Sequence, residues 1–283
     1  MSSLSGIRRL LTRSRAVVAV CLLAAGTADC REAVRSASSW KETWEDASRL
    51  LVNDAYRAFT AAGRSPAGAT RESRFGEAVM LLNVQPKTGA NLDRAQALFL
   101  ALVKENDSDD LGIMAAYYLG RLEQVHRPEP DLPRALDHFE VLMRKHPGHF
   151  FAQMAAVKVC ILRLYAVDQL VPPARRLEQA EAMQVFFTLS EAQRDYHLVM
   201  ADACARLGGT AGRELEHAQA AERAGHLDRS GRADLDLRVA ELARGLGQRD
   251  RAIDYYRKFL TEYTREARVY LVRQKLRELE AQP

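Results

Sequence analysis

Apolar residues recur along most of the chain at three- and four-residue intervals, the spacing of one face of an amphipathic helix. Strict alternation of apolar and polar residues, the mark of a half-buried strand, does not occur in any convincing run. The pattern predicts helices near 33–62, 71–84, 92–105, 109–126, 132–145, 149–167, 173–188, 190–207, 211–224, 231–246, 249–262 and 265–281. Between them lie Gly63 to Gly68, Pro86 to Gly89, Pro128 to Pro133, Pro147-Gly148, Gly208-Gly209, Gly225 and Gly247, which punctuate helices. The expected class is all-α.

The helices rhyme. Ala252, Tyr256 and Phe259 set a small residue, an aromatic four positions on and an apolar residue three further. The same order holds at Ala135, Phe139 and Leu142, and at Ala95, Phe99 and Leu102. In the preceding helices a small residue recurs at Gly120, Cys160, Ala201 and Ala240, at steps of 40, 41 and 39. A small side chain there lets two helices approach closely. Self-similarity at a fixed period indicates stacked repeats. Between Val171 and Leu189 the frame is ambiguous, and Ala182, Phe186 and Leu189 fit it better than Ala174.

These residues resemble the tetratricopeptide repeat (TPR) family. Leu119-Gly120, Ala135, Phe139 and Pro147 fit its consensus in one repeat, with an insertion over His126 to Asp131. Ala252, Tyr256 and Gly245 to Gly247 fit in the last, where Thr264 replaces the exit proline. The likeness covers roughly 71–264 at a period longer than that family's own. It implies a right-handed superhelical solenoid of stacked antiparallel helix pairs, with residues 29–70 as an N-terminal helix and linker and 265–283 as a capping helix. It also implies a concave groove for a protein or peptide partner. Carried over by alignment, the groove positions are Met114, Tyr117, Arg121 and Gln124, then Met154, Val157, Ile161 and Leu164, then Asp195, Leu198, Asp202 and Ala205, then Asp234, Leu237, Glu241 and Arg244. Several of these apolar residues would equally serve as helix packing. Tyr117, Arg121, Val157 and Ile161 replace the Lys and Asn with which chaperone-type repeats clamp a C-terminal carboxylate, so that ligand class is not expected.

Trp40, Trp44, Ala47, Leu51 and Ala55 also share helical spacing. They read as a stripe packed on the first repeat, with an aromatic docking surface as the alternative.

Charge alters the picture at the N-terminus. The net charge is +4, from 41 basic and 37 acidic residues, and Arg8, Arg9, Arg13 and Arg15 precede the first acid, Asp29. Removing those four leaves 37 against 37, so the rest of the chain lacks the basic field that gathers nucleic acid. Basic Met1 to Arg15, apolar Ala16 to Ala25 and small Gly26 to Ala28 have the order of a secretory signal. About ten apolar residues are too few for a spanning helix, which takes ~20. The expected location is the periplasm or cell envelope. A mitochondrial or other targeting arm, with an organellar or cytoplasmic protein, is the alternative. Arg8-Arg9 faintly suggests a twin-arginine signal. Cys30 suggests a lipid anchor, although Asp29 stands where lipoproteins carry a small residue.

Candidate chemistry is sparse. Cys160 and Cys204 lie in helical patterns as small hydrophobes. His146-Pro147-Gly148-His149 could hold a metal only with ligands that the surrounding sequence does not supply. No phosphate loop, nucleophile elbow or zinc-protease motif occurs. Gly208 to Gly212 reads as a turn between helices. The reading is a non-enzymatic scaffold with no metal and no cofactor. A helical-repeat enzyme acting on cell-wall or peptide substrates, or an intracellular regulator, is the alternative.

Overall fold

The computed structural model describes residues 33–62 and 69–281; the leader and Cys30 lie outside them. Among the described residues there are thirteen α-helices and no strand. They are α1 (Ala33–Ser48), α2 (Val52–Ala62), α3 (Arg71–Leu81), α4 (Gly89–Glu105), α5 (Asp110–Arg121), α6 (Leu132–Lys145), α7 (Phe150–Tyr165), α8 (Pro173–Ala182), α9 (Ser190–Leu207), α10 (Ala211–Ala224), α11 (Arg229–Gly245), α12 (Arg249–Glu262) and α13 (Val269–Glu280). The chain is all-α.

The odd-numbered helices from α3 onward begin at 71, 110, 150, 190, 229 and 269, steps of 39, 40, 40, 39 and 40. The period read from small residues is therefore the period of helix pairs. Side-chain caps fix several of these starts. Thr70, Asp109, His149 and Asp228 each accept a hydrogen bond from an N–H of the following first turn. A helix leaves its first N–H groups without partners, and such a cap satisfies one of them. Asp109 also receives Arg71 and Asn106, so it ties α3 to the start of α5. Asp109→Ala is expected to cost about 1–2 kcal/mol of stability, with faster amide exchange in α5, read by denaturant unfolding and hydrogen exchange. Gly112 must stay small, because a Cβ there would overlap the Asn106 carbonyl oxygen.

The chain divides into two compact units at His138 and Phe139, within α6. In the first unit α2 packs on α3, α3 on α4 and α4 on α5. Its core gathers Phe59, Phe75, Leu92, Phe99 and Leu122. Trp44 packs against both Phe59 and Phe75, with ring centroids 4.9 and 6.2 Å apart, so the aromatic stripe lies on the first helix pair. The helix expected over 33–62 breaks at Leu50, which takes a left-handed φ of 68°. The Leu51 N–H reaches back to the Asp46 carbonyl, a Schellman-type ending. That break leaves Leu51 exposed rather than in the stripe.

In the second unit the order of packing is again serial: α7 with α8 and α9, then α9 with α10, α10 with α11, α11 with α12 and α12 with α13. From Phe151 to Leu162 every residue of α7 is buried, the polar Gln153 and Lys158 included. The small residues Cys160, Ala201 and Ala240 have no exposure. So do Ala252, Tyr256 and Phe259 of the aromatic motif.

The frame expected around 171–189 is corrected. Ala182 is exposed and Phe186 is 38% exposed; Leu177, Ala180 and Phe187 are the buried apolar residues. The reason is that α8 is only ten residues long and closes in a 3-10 turn at Met183–Phe186, which ends the 3.6-residue spacing.

Candidate functional site

The groove positions of the first unit turn mostly inward. Tyr117, Arg121 and Gln124 are 3%, 9% and 3% exposed, and Met114 is half-buried. Past Arg121 the helix widens into a π turn over Leu122–His126, where the Arg127 N–H bonds the Leu122 carbonyl. The wider turn rotates the neighbours Glu123 and Gln124 inward together. Arg121 Nη1 donates to Gln124 Oε1 at 2.7 Å. Buried Glu123 faces Arg127 and Arg134, each at 3.8 Å. Burial, then Lys87 and Arg121, pushes the His126 pKa down to about 3, and its neutral Nδ1 lies 3.3 Å from Lys87 Nζ.

The second unit separates its positions into two sets. Met154, Val157, Ile161 and Leu164 of α7 are buried. Along α9 and α11 the polar positions reach solvent, and every acid among them has a cation. Asp195 takes Arg194 and Asp202 takes Arg206, both at 2.8 Å; Tyr165 also donates to Asp202. Asp234 takes Arg268 at 2.8 Å. Glu241 accepts from Lys275, Tyr256 and Arg244 at 2.6, 2.7 and 2.9 Å. Burial works against ionisation of Glu241, yet these donors hold its pKa below the usual carboxylate range. Leu198 and Leu237 lie half-buried on the same two helices. The aligned charged positions on α9 and α11 thus reach solvent, but each is ion-paired: Asp195 and Asp202 by neighbours in sequence, and Asp234 and Glu241 by Arg268 and Lys275, which lie beyond the aligned repeats.

A second arrangement was missed by the sequence reading. A cavity of about 340 Å³ opens where the turn after α10 meets α11 and α12. At its floor Lys258 Nζ lies 2.6 Å from Glu222 Oε1 and 2.8 Å from Asp236 Oδ1. Asp236 is 2% exposed and accepts a second bond from Tyr263 at 3.0 Å. Tyr255 closes on Glu222. Burial opposes the Lys258 charge, but the two carboxylates more than offset it and raise its pKa. Burial, reinforced by Asp236, pushes Tyr263 up to about 12. Glu222, Asp236 and Lys258 belong to three different helices, so no one-dimensional spacing reveals them.

His149 caps α7 through Nδ1, 3.2 Å from the Phe151 N–H. His197 of α9 and His217 of α10 face each other with Nδ1 atoms 3.0 Å apart. Among the described residues no helix is long and apolar enough to cross a membrane. Comparison of the chain with family models and with curated proteins returns no match.

Proposed function

We propose that this chain is a non-enzymatic helical-repeat scaffold that holds a partner protein or peptide. The observation carrying the proposal is the regular 39–40-residue step between helix pairs that pack in serial order within each unit. Such stacking forms a core no single pair can make and leaves one series of helices as a continuous recognition surface. In the second unit that surface would be made by α9 and α11, on which Asp195, Asp202, Asp234, Glu241, Arg244, Leu198 and Leu237 are all at least partly exposed. A right-handed superhelical stacking of the TPR kind accounts for the matching of Ala135–Phe139 and Ala252–Tyr256. The order of basic, apolar and small residues in Met1 to Ala28 supports export to a cell envelope or periplasm.

The chemistry of the face favours a partner segment that carries Lys or Arg beside an apolar anchor. Its cations would exchange with Arg194, Arg206 and Arg268 on Asp195, Asp202 and Asp234. Exposed ion pairs are worth roughly 0–1 kcal/mol each, so the exchange meets little resistance. The double variant Asp195→Lys with Asp234→Lys is expected to keep the wild-type circular dichroism and unfolding midpoint while losing partners recovered by cross-linking from envelope fractions. If every partner recovered with the wild type is recovered equally with the double variant, the assignment of this face is wrong. Tyr117 and Arg121 are poor probes of binding, since their burial would confound lost contacts with lost fold.

A further inference from the structure

We infer that the cavity between the α10–α11 turn, α11 and α12 is a binding site for a small zwitterion, an α-amino acid with an aliphatic side chain. The inference is independent of the recognition face on α9 and α11.

The charges in the cavity divide into committed and uncommitted groups. Lys258 is committed: two of its three N–H donors are taken by Glu222 and Asp236, and those carboxylates are further satisfied by Tyr255 and Tyr263. This set forms a hydrogen-bonded floor that carries one net negative charge. Arg232 and Glu262 stand on the wall, exposed, and among the described residues neither side chain has an ion-pair partner. One cation and one anion left open on the same partly open cavity match a ligand bearing one carboxylate and one ammonium, the ammonium being favoured further by the net negative floor. A guanidinium receives a carboxylate through two parallel N–H bonds, and a carboxylate receives an ammonium as a charge-assisted bond. Leu227 and Leu235 line the same cavity and supply an apolar contact for a side chain. The volume is near the lower end of the ~300–1,000 Å³ range of small-molecule sites.

The turn that forms the mouth is held in an unusual state. Gly225 and then His226 adopt positive φ values of 76° and 58°. Positive φ is uncommon outside glycine, though histidine is among the residues that tolerate it, and backbone strain gathers at ligand sites. It is held from the preceding pair: Ser190 Oγ lies 2.9 Å from His226 Nε2, and Arg194 Nη1 donates to the His226 carbonyl at 2.5 Å. The mouth is therefore fixed before a ligand arrives, which lowers the entropic cost of binding.

The test is calorimetric titration of the full-length chain with L-leucine, leucinamide and N-acetyl-leucine. Leucine is expected to bind saturably, and each blocked compound to bind at least about tenfold more weakly. Arg232→Ala and Glu262→Gln are each expected to weaken leucine binding at least about tenfold. Both residues are exposed, so both variants should keep the wild-type unfolding midpoint. The inference is overturned if leucine shows no saturable binding up to about 10 mM, a range that covers affinities weaker than 1 mM. It is equally overturned if either blocked compound matches leucine, or if either variant binds leucine as the wild type does.

Discussion

Tyr256→Ala is expected to destabilise the second unit by about 3–5 kcal/mol, the cost of emptying a large buried aromatic site. Tyr256 has no exposure and belongs to a cluster with Ala240, Ala243, Ala252 and Phe259. Three of those neighbours are alanines on α11 and α12, which cannot extend to fill the space. The substitution also removes the donor at 2.7 Å from Glu241. Tyr256→Phe isolates that second loss, and about 1 kcal/mol is expected for it. In a serial stack each pair leans only on its neighbours, so the damage should be local at first. Amide exchange should rise in α11, α12 and α13 well before it rises in α3 to α5. Denaturant unfolding gives the magnitude and hydrogen exchange gives the place. A cost below about 1 kcal/mol for Tyr256→Ala would show that this aromatic is not what holds its helix pair together.

That expectation rests on residues that were legible without coordinates. The aromatic positions Phe99, Phe139 and Tyr256 and the small residues Cys160, Ala201 and Ala240 are all fully buried. They are legible because one physical demand recurs: two helices can cross closely only where one side chain is small, and the space beside it must be filled by a large one. Helix starts were legible to within a few residues from the breakers between them: the expected starts at 109 and 231 compare with observed starts at Asp110 and Arg229. Local departures were not. The π turn at Leu122–His126 and the 3-10 turn at Met183–Phe186 change the residue count per turn, and both lie where the apolar spacing still reads as helix. Leu50 likewise carries no signal of its left-handed φ, because glycine and asparagine are the residues expected there. The candidate sites were legible only in part. Alignment placed Asp195, Asp202, Asp234, Glu241 and Arg244 on one face, but the cavity needs Glu222, Asp236 and Lys258 from three helices.

The second large effect is one of pH, and it falls on the contact between α9 and α10. The 3.0 Å approach of His197 and His217 allows one N–H between two Nδ1 atoms, which is satisfied when the pair is neutral. If both rings are charged, two N–H groups point at each other. Burial lowers both pKa values; His197 falls to about 4, with His217 and Arg223 adding to the shift. For His217 the nearby Glu181 pulls the other way without reversing the direction. In the unfolded chain a histidine titrates near 6.5. Between about pH 6.5 and 4 the unfolded chain therefore binds more protons than the folded one. The stabilisation is complete above about pH 6.5 and is lost as pH falls through that window. For His197 the shift corresponds to a loss on the order of 3 kcal/mol, since each unit is worth about 1.4 kcal/mol. Carboxylates with lowered pKa values, such as Glu140 and Glu241, release their stabilisation at lower pH and leave most of this window to histidine. His126 contributes in the same direction, but within the first unit. The pair is separated from it by following exchange of α9 and α10 amides in urea at about pH 7 and about pH 4.5. His197→Gln with His217→Gln is expected to be less stable near neutrality yet nearly flat across the window. If the double variant keeps the wild-type slope in α9 and α10, the pair is not the origin of the acid sensitivity.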